Sequence, residues 1–233
     1  MKENQTPDAP DLKKFFHHGQ WKGASETICG KGSTLSYTEV FRAAFETLLS
    51  DLKIERLLDA PCGDFHWMKT VAFSGDYIGM DIVPDIIADN VALHSSARRR
   101  FLQGDITKDP LPAADLMLVR DCLFHLPFVN VANFFENFLK HRIPFVAITS
   151  NVNAVNQDIE VPGRYRPINL LLEPAGLPKP ESRFMLRDYP ESVSRKRFIY
   201  VWRHEQVKDV MTAARLDKMR KWSGAIAAAE DQE

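Results

Sequence analysis

The chain reads as an α/β fold: a three-layer sandwich in which about seven mostly parallel strands, with an antiparallel strand near the C-terminal end, lie between helices. Two observations predict it. Short apolar runs alternate with stretches whose apolar residues recur at helical spacing, the order that builds a parallel sheet covered on both faces. Several of those runs also end in an acid, as in Leu57-Leu58-Asp59 and Gly79-Met80-Asp81, and the carboxyl ends of strands are where such sheets bind ligands.

Residues 1–20 are polar and without sustained periodicity, and read as a flexible N-terminal arm. Ser36-Tyr37-Thr38-Glu39 has the form of a capping box, and Phe41, Ala44, Phe45, Leu48, Leu49 and Leu52 follow at helical spacing. Residues 56–59 form the first strand, a helix is expected through Trp67 and Val71, and residues 77–81 form the second strand. Pro84 opens another helix, Phe101-Leu102 lead a third strand into Gly104-Asp105, and residues 116–119 make a fourth. Val131, Phe134, Phe135, Phe138 and Leu139 mark the next helix and residues 145–148 a fifth strand. Strands near 184–187 and 198–202 are joined by a turn short enough for an antiparallel pair, and a polar helix runs over about 205–222. One domain is thus expected over 21–203, with a C-terminal helix and tail over 204–233.

Composition bounds the function. The 233 residues fit a single domain with a core of its own. Hydrophobic and charged fractions of 45% and 26% are those of a globular protein, and no apolar run reaches bilayer length, so no membrane partner is expected. With 30 basic against 31 acidic residues the net charge is -1, which removes the broad basic surface of a nucleic-acid binder. Arg98-Arg99-Arg100 reads as a solvated strand entrance. A polar start without an apolar signal core points to the cytoplasm. Cys29, Cys62 and Cys122 form no CxxC pair and leave an odd one over, so reduced thiols and no metal site are expected. A monomer or homodimer fits this composition.

The strand ends carry the chemistry. Asp59-Ala60-Pro61-Cys62-Gly63-Asp64, Asp81, Asp105 and Arg120-Asp121 close four successive strands. Clustered acids repel and lose solvation, so a crevice lined with them is costly unless they have work to do. In their order and spacing, over about residues 57–150, these motifs resemble the class I S-adenosylmethionine-dependent methyltransferases. The resemblance implies a Rossmann-like sheet, S-adenosyl-L-methionine as cofactor and S-adenosyl-L-homocysteine as product. It implies that Asp59, Pro61, Cys62 and Gly63 hold the methionine portion, that Asp81 accepts from both ribose hydroxyls, and that Asp105 accepts from the adenine amino group. Ile82 and Ile106 would wall the ring, with Arg120 beside the cofactor. The alternative for each acid is a helix or turn cap. The first loop departs from the family in keeping a single glycine, Gly63. It also lacks the G-x-G-x-x-G approach to a pyrophosphate, which counts against a rival NAD-type oxidoreductase or epimerase.

Methyl transfer is an in-line displacement that needs alignment and exclusion of water, and no metal. A hydroxyl acceptor must also lose its proton. Asp121 and His125, four residues apart beyond the fourth strand, are the candidate bases. A histidine between Phe124 and Leu126 is equally at home as a core residue bonded to backbone, Asp121 as a structural contact, and Arg120 as the partner of an acid or of an anionic substrate group.

Residues 151–180 carry Asn151, Asn153, Asn156, Asp158, Arg164, Arg166 and Asn169 without periodicity. They read as an acceptor-binding lid, with Asn151, Asn156 and Arg166 as contacts, or as an ordinary surface loop. Gly30-Lys31-Gly32-Ser33-Thr34 either folds over the methionine end or is a plain turn. Trp21, Trp67, Trp202 and Trp222 read as packing residues, and Met211 and Met219 as buried or in a dimer contact. The expected activity is O-methylation of a small polar acceptor, a sugar or another natural-product hydroxyl. N-methylation of a small molecule or protein, and a cofactor-binding module without turnover, are the alternatives.

Overall fold

The computed structural model describes residues 9–21, 26–152, 154–191 and 196–222. Seven strands form one sheet: β1 (Arg56–Asp59), β2 (Asp76–Asp81), β3 (Arg99–Gln103), β4 (Leu116–Val119), β5 (Phe145–Asn151), β6 (Met185–Arg187) and β7 (Arg197–Arg203). Their order is β3-β2-β1-β4-β5-β7-β6. The first five are parallel, and β7 runs antiparallel between β5 and β6.

The continuous apolar runs have the expected cause, burial on both sides. Alternation along the strands sends Leu57, Tyr77, Leu116, Leu118, Ala147 and Val201 to one face, where α1 (Leu35–Asp51) lays Phe41, Phe45, Leu48 and Leu49. It sends Leu58, Ile78, Met117, Ile148 and Trp202 to the other, against Phe134, Phe135 and Phe138 of α3 (Phe128–His141). Each such side chain contributes about 2 kcal/mol by leaving water. Pro84 occupies the first turn of α2 (Pro84–His94), as its fixed φ favours. The winding reverses between β1 and β4, so the crevice opens over their C-terminal ends.

Three local expectations are corrected. The N-cap of α1 is Thr34, two residues before Ser36: its hydroxyl accepts from Tyr37 N at 3.3 Å, and the Glu26 carboxylate accepts from Leu35 N at 2.8 Å. Ser36 and Glu39 lie inside the helix and form no box. The expected helix through Trp67 and Val71 is a single 3-10 turn, Met68–Thr70: Trp67 is buried edge-on against Phe41, centroids 5.6 Å apart, and the backbone is already extended at Val71, five residues before β2 begins. The C-terminal helix is two helices, α4 (His204–Val210) and α5 (Ala213–Arg220). Met211 leaves helical geometry at ψ 53°, and Thr212 caps the second by accepting from Arg215 N at 3.3 Å. Met211 and Met219 are both buried.

Of the N-terminal arm, residues 9–20 are described, and they pack on the body. Leu12 is 3% exposed within the core, Asn130 Nδ2 donates to Pro10 O at 3.3 Å, and Lys108 pairs with Asp11 at 3.5 Å. One buried leucine and a 3-10 turn, Leu12–Lys14, hold a stretch that has no periodicity to read. Residues 1–8 of the arm and 223–233 of the tail lie outside the described residues. Among the described residues no helix is long and apolar enough to cross a membrane. The three cysteines are free thiols.

Candidate functional site

A cavity of about 300 Å³ lies over the C-terminal ends of β1 to β4. At one end it is built from strand-end turns. Pro61, Cys62 and Gly63 line it, whereas Asp59 sits beneath them, 1% exposed, with Oδ2 accepting from the Tyr77 hydroxyl at 2.7 Å. Burial pushes the Asp59 carboxyl up to about 7, against the pull of that hydrogen bond and of Arg120. Asp59 therefore supports the loop from below and does not line the cavity.

Cys62 N donates to Met80 O at 2.9 Å, and the next residue, Gly63, turns at φ 53° so that its N–H donates to Asp81 Oδ2 at 3.0 Å. A side chain there would meet Cys29 Sγ. The other oxygen of Asp81 accepts from Val83 N at 3.0 Å. Burial raises the Asp81 pKa, with the backbone donors opposing it. Two oxygens that each hold one N–H keep lone pairs for two further donors. Asp105 also lines the cavity but spends Oδ1 on Thr107 N and Oγ1, at 2.9 and 2.7 Å, and Oδ2 lies 3.3 Å from Lys108 Nζ. It is a turn cap and a wall at once. Ile82 and Ile106 line the same end, and a side chain at Gly104 would run into Met80.

Residues 26–34 roof this end. Asp64, not singled out from sequence, pins them: Oδ2 accepts from Thr27 Oγ1 at 2.7 Å and from Ile28 N at 3.0 Å, while Asp64 N meets Cys29 Sγ at 3.3 Å. Cys29, Lys31, Gly32 and Ser33 line the cavity, so the glycine-rich stretch does fold over the site.

At the other end the walls are side chains. Asp121, turned to φ 54° just past β4, donates from its backbone N to Thr149 Oγ1 at 2.9 Å. Its Oδ2 lies 3.0 Å from Arg197 Nη2 and 3.5 Å from Arg120 Nη1. Asp188, fully buried, is the counter-ion of both arginines: Oδ1 takes Arg120 Nε and Nη2 at 3.1 and 2.9 Å, and Oδ2 lies 3.1 Å from Arg197 Nε. Arg120 Nη2 also donates to Gly32 O at 2.7 Å. Arg120 lines the cavity with its fork already occupied. Burial alone would raise the Asp121 pKa, but Arg120 and Arg197 outweigh it and hold the carboxyl below the ordinary value.

His125 lies on a 3-10 turn, Leu123–His125, with Nδ1 3.2 Å from Arg164 O. Burial lowers its pKa to about 4, with the Arg164 hydrogen bond and Asp121 opposing. Trp21, read as a packing residue, lines the cavity and lies against the His125 ring, centroids 5.0 Å apart. Trp67 lines it too, with the Arg120 guanidinium 5.2 Å from its ring. Trp202 is wholly buried in the core, its indole N–H donating to Pro178 O at 2.7 Å.

The 151–180 segment is placed otherwise than expected. Asn151, Asn156 and Arg166 do not line the cavity; of this segment Tyr165 does. Asn151 Oδ1 accepts from Ile168 N at 3.0 Å, Asn156 Nδ2 donates to Asn169 O and Glu173 O at 2.8 and 2.7 Å, and Arg166 donates to Leu123 O and Leu126 O at 3.1 and 2.8 Å. Where a segment with little regular structure is partly buried, its backbone must find partners, and these side chains supply them. Asn153 lies outside the described residues.

No family model matches the chain, and no curated protein matches it. Among solved structures it is similar to an S-adenosylmethionine-dependent methyltransferase from Leishmania major: TM-score 0.59 at 12% identity, covering 78% of this chain and 80% of that one. It is similar to magnesium protoporphyrin IX methyltransferase from Synechocystis, solved with bound S-adenosylhomocysteine: 0.53 at 12%, covering 72% and 84%. It is similar also to mitomycin 7-O-methyltransferase, 0.52 at 15%, covering 72% of this chain and 54% of the other, so it spans about half that enzyme's length. What these proteins share with the chain is the fold.

Proposed function

We propose, from the class I S-adenosylmethionine-dependent methyltransferase fold of this chain, that it binds S-adenosylmethionine and methylates a hydroxyl of a small polar acceptor, a sugar or another natural-product hydroxyl. The observation that carries this is Asp81: a buried carboxylate at the end of β2, lining the cavity, with each oxygen anchored by one backbone N–H and able to accept once more. That pair of acceptors fits the two hydroxyls of a ribose, which would donate to it. Pro61, Cys62 and Gly63 would face the methionine portion, Ile82 and Ile106 the adenine, with Asp105 beside it. The cavity volume, about 300 Å³, is at the small end of ligand sites.

When bound, the cofactor supplies a methyl group on a sulfonium, and transfer breaks the carbon–sulfur bond, forms a carbon–oxygen bond and releases S-adenosylhomocysteine. The chain's own part is to hold the acceptor and take its proton. Asp121 and His125 divide that work by their environments. Asp121, ionised between two arginines, is a poor base and a good hydrogen-bond acceptor that orients a hydroxyl. His125, a neutral imidazole at pH 7, has a ring nitrogen with a lone pair to receive the proton as the hydroxyl acidifies during transfer.

Calorimetry of the full chain against S-adenosylmethionine, S-adenosylhomocysteine and NAD tests the reading. Both adenosyl ligands are expected to bind and NAD is not, and Asp81→Ala is expected to weaken binding roughly 100-fold, the loss of two hydrogen bonds to a charged group. Binding of NAD alone would sink the proposal.

A further inference from the structure

Three separate segments enclose the His125 ring. Its own turn sets Phe124 beside it, centroids 4.5 Å apart. The 151–180 segment brings Tyr165, at 6.2 Å, and the Arg164 carbonyl, 3.2 Å from Nδ1. The N-terminal segment lays Trp21 against it at 5.0 Å and 35°, and Phe16 backs that indole at 5.7 Å. A backbone carbonyl is an acceptor and nothing else, so the contact at Nδ1 places the ring proton there and leaves Nε2 with the lone pair.

We propose that Trp21 is a positioning residue: lying against the imidazole of His125, it keeps water from that ring and holds it neutral as the Nδ1–H tautomer, so that Nε2 receives the acceptor's proton. The inference rests on the methyltransferase reading for what the proton transfer serves, but not for its geometry. Its physical basis is desolvation. An imidazole walled by aromatic rings loses hydration mainly in its charged form, and burial is the leading cause of the low His125 pKa. The charged groups around the ring divide: Asp121, on the stretch that leads into its own turn, favours the imidazolium, while Arg166 and Arg197 disfavour it. Arg164 and Tyr165 face it from the 151–180 segment, and His17 and Lys31 line the same cavity. Trp21→Phe keeps an aromatic wall among these groups and Trp21→Ala does not, so comparing the two separates the effect of the ring from theirs.

The test needs no acceptor. Imidazole nitrogens of the full ¹⁵N-labelled chain are titrated by NMR, with His125→Gln used for assignment. In the unaltered chain His125 is expected as the Nδ1–H tautomer with a midpoint near 4. Trp21→Ala is expected to raise that midpoint by about one unit or more and to mix the tautomers, and Trp21→Phe, which restores an aromatic wall, to return most of the shift. A His125 midpoint unchanged in Trp21→Ala, even with a lowered melting temperature, would overturn the inference, as would an Nε2–H tautomer in the unaltered chain. Indole emission gives a second measurement that does not depend on Trp21→Ala folding. An imidazolium quenches a neighbouring indole, so the unaltered chain is expected to lose emission with the His125 midpoint and Trp21→Phe to lose that step; a step that persists in Trp21→Phe counts against Trp21. Failure to bind S-adenosylmethionine in calorimetry would instead sink the methyltransferase reading and leave the imidazole result standing.

Discussion

The Asp81 end and the His125 end of the cavity are built by opposite means. At the first, backbone does the work: Gly63 and Val83 donate to Asp81 and Thr107 to Asp105, so a few residues past each strand fix the geometry. At the second, side chains from distant parts of the chain meet: Arg120, Asp188 and Arg197 around Asp121, and Trp21 and Tyr165 around His125. The first end depends on where strands stop. The second depends on charge balance and on long-range packing, and a single residue can unsettle it.

The largest expected effect breaks that balance. Asp188→Ala leaves two buried arginines sharing Asp121, and breaking a buried pair in this way costs about 3–5 kcal/mol. Urea unfolding measures it, and a loss below about 1 kcal/mol would show that the network is loose and the contrast between the two ends false. Asp81→Asn acts on the other end: affinity for S-adenosylhomocysteine is expected to fall roughly 10- to 100-fold, about 1.5–3 kcal/mol, by calorimetry.

The ends should also respond to pH with opposite sign. Asp59 titrates at about 7 in the folded chain, above its ordinary value of 3.8, so between those values the folded state holds a proton that the unfolded state has lost. Its contribution to stability falls as pH rises through that window. His125, lowered from 6.5 to about 4, binds its proton more readily when unfolded, so its contribution falls as pH drops through that window. Between about pH 4 and 7, unfolding free energies are expected to lose a component that falls with rising pH in Asp59→Asn, and one that rises with pH in His125→Gln. The reverse assignment would exchange the causes. The smallest expected effect concerns α1: Thr34→Ala should cost about 1 kcal/mol as a lost N-cap, and Glu39→Ala close to nothing.

The same contrast explains what could be read in advance. The strand set and the reversed strand were legible because continuous apolar runs mean two covered faces, and the Asp81 end because each acid closes its strand or lies within two residues of its end. The His125 end was half legible: Asp121 and His125 lie just beyond β4, but nothing local ties Asp121 to Asp188 or His125 to Trp21. Asn151, Asn156 and Arg166 misled for a definite reason. Polar side chains in a long irregular segment are needed by its own backbone before they are available to a ligand. Thr34 was missed because a hydroxyl at an N-cap and one in the first turn look alike in sequence, and the extended backbone at 34 decides between them.

Arg166 has a consequence of another kind. Its guanidinium, 1% exposed, grips Leu123 O and Leu126 O and lies 4.4 Å from the Phe128 ring centroid, so the turn that carries His125 is moulded by a residue about forty positions downstream. That turn is complete once the stretch after β5 has docked. Insertions or deletions between β5 and Arg164 would therefore reshape the turn that carries His125 through its backbone contacts, with the cavity side chains themselves kept.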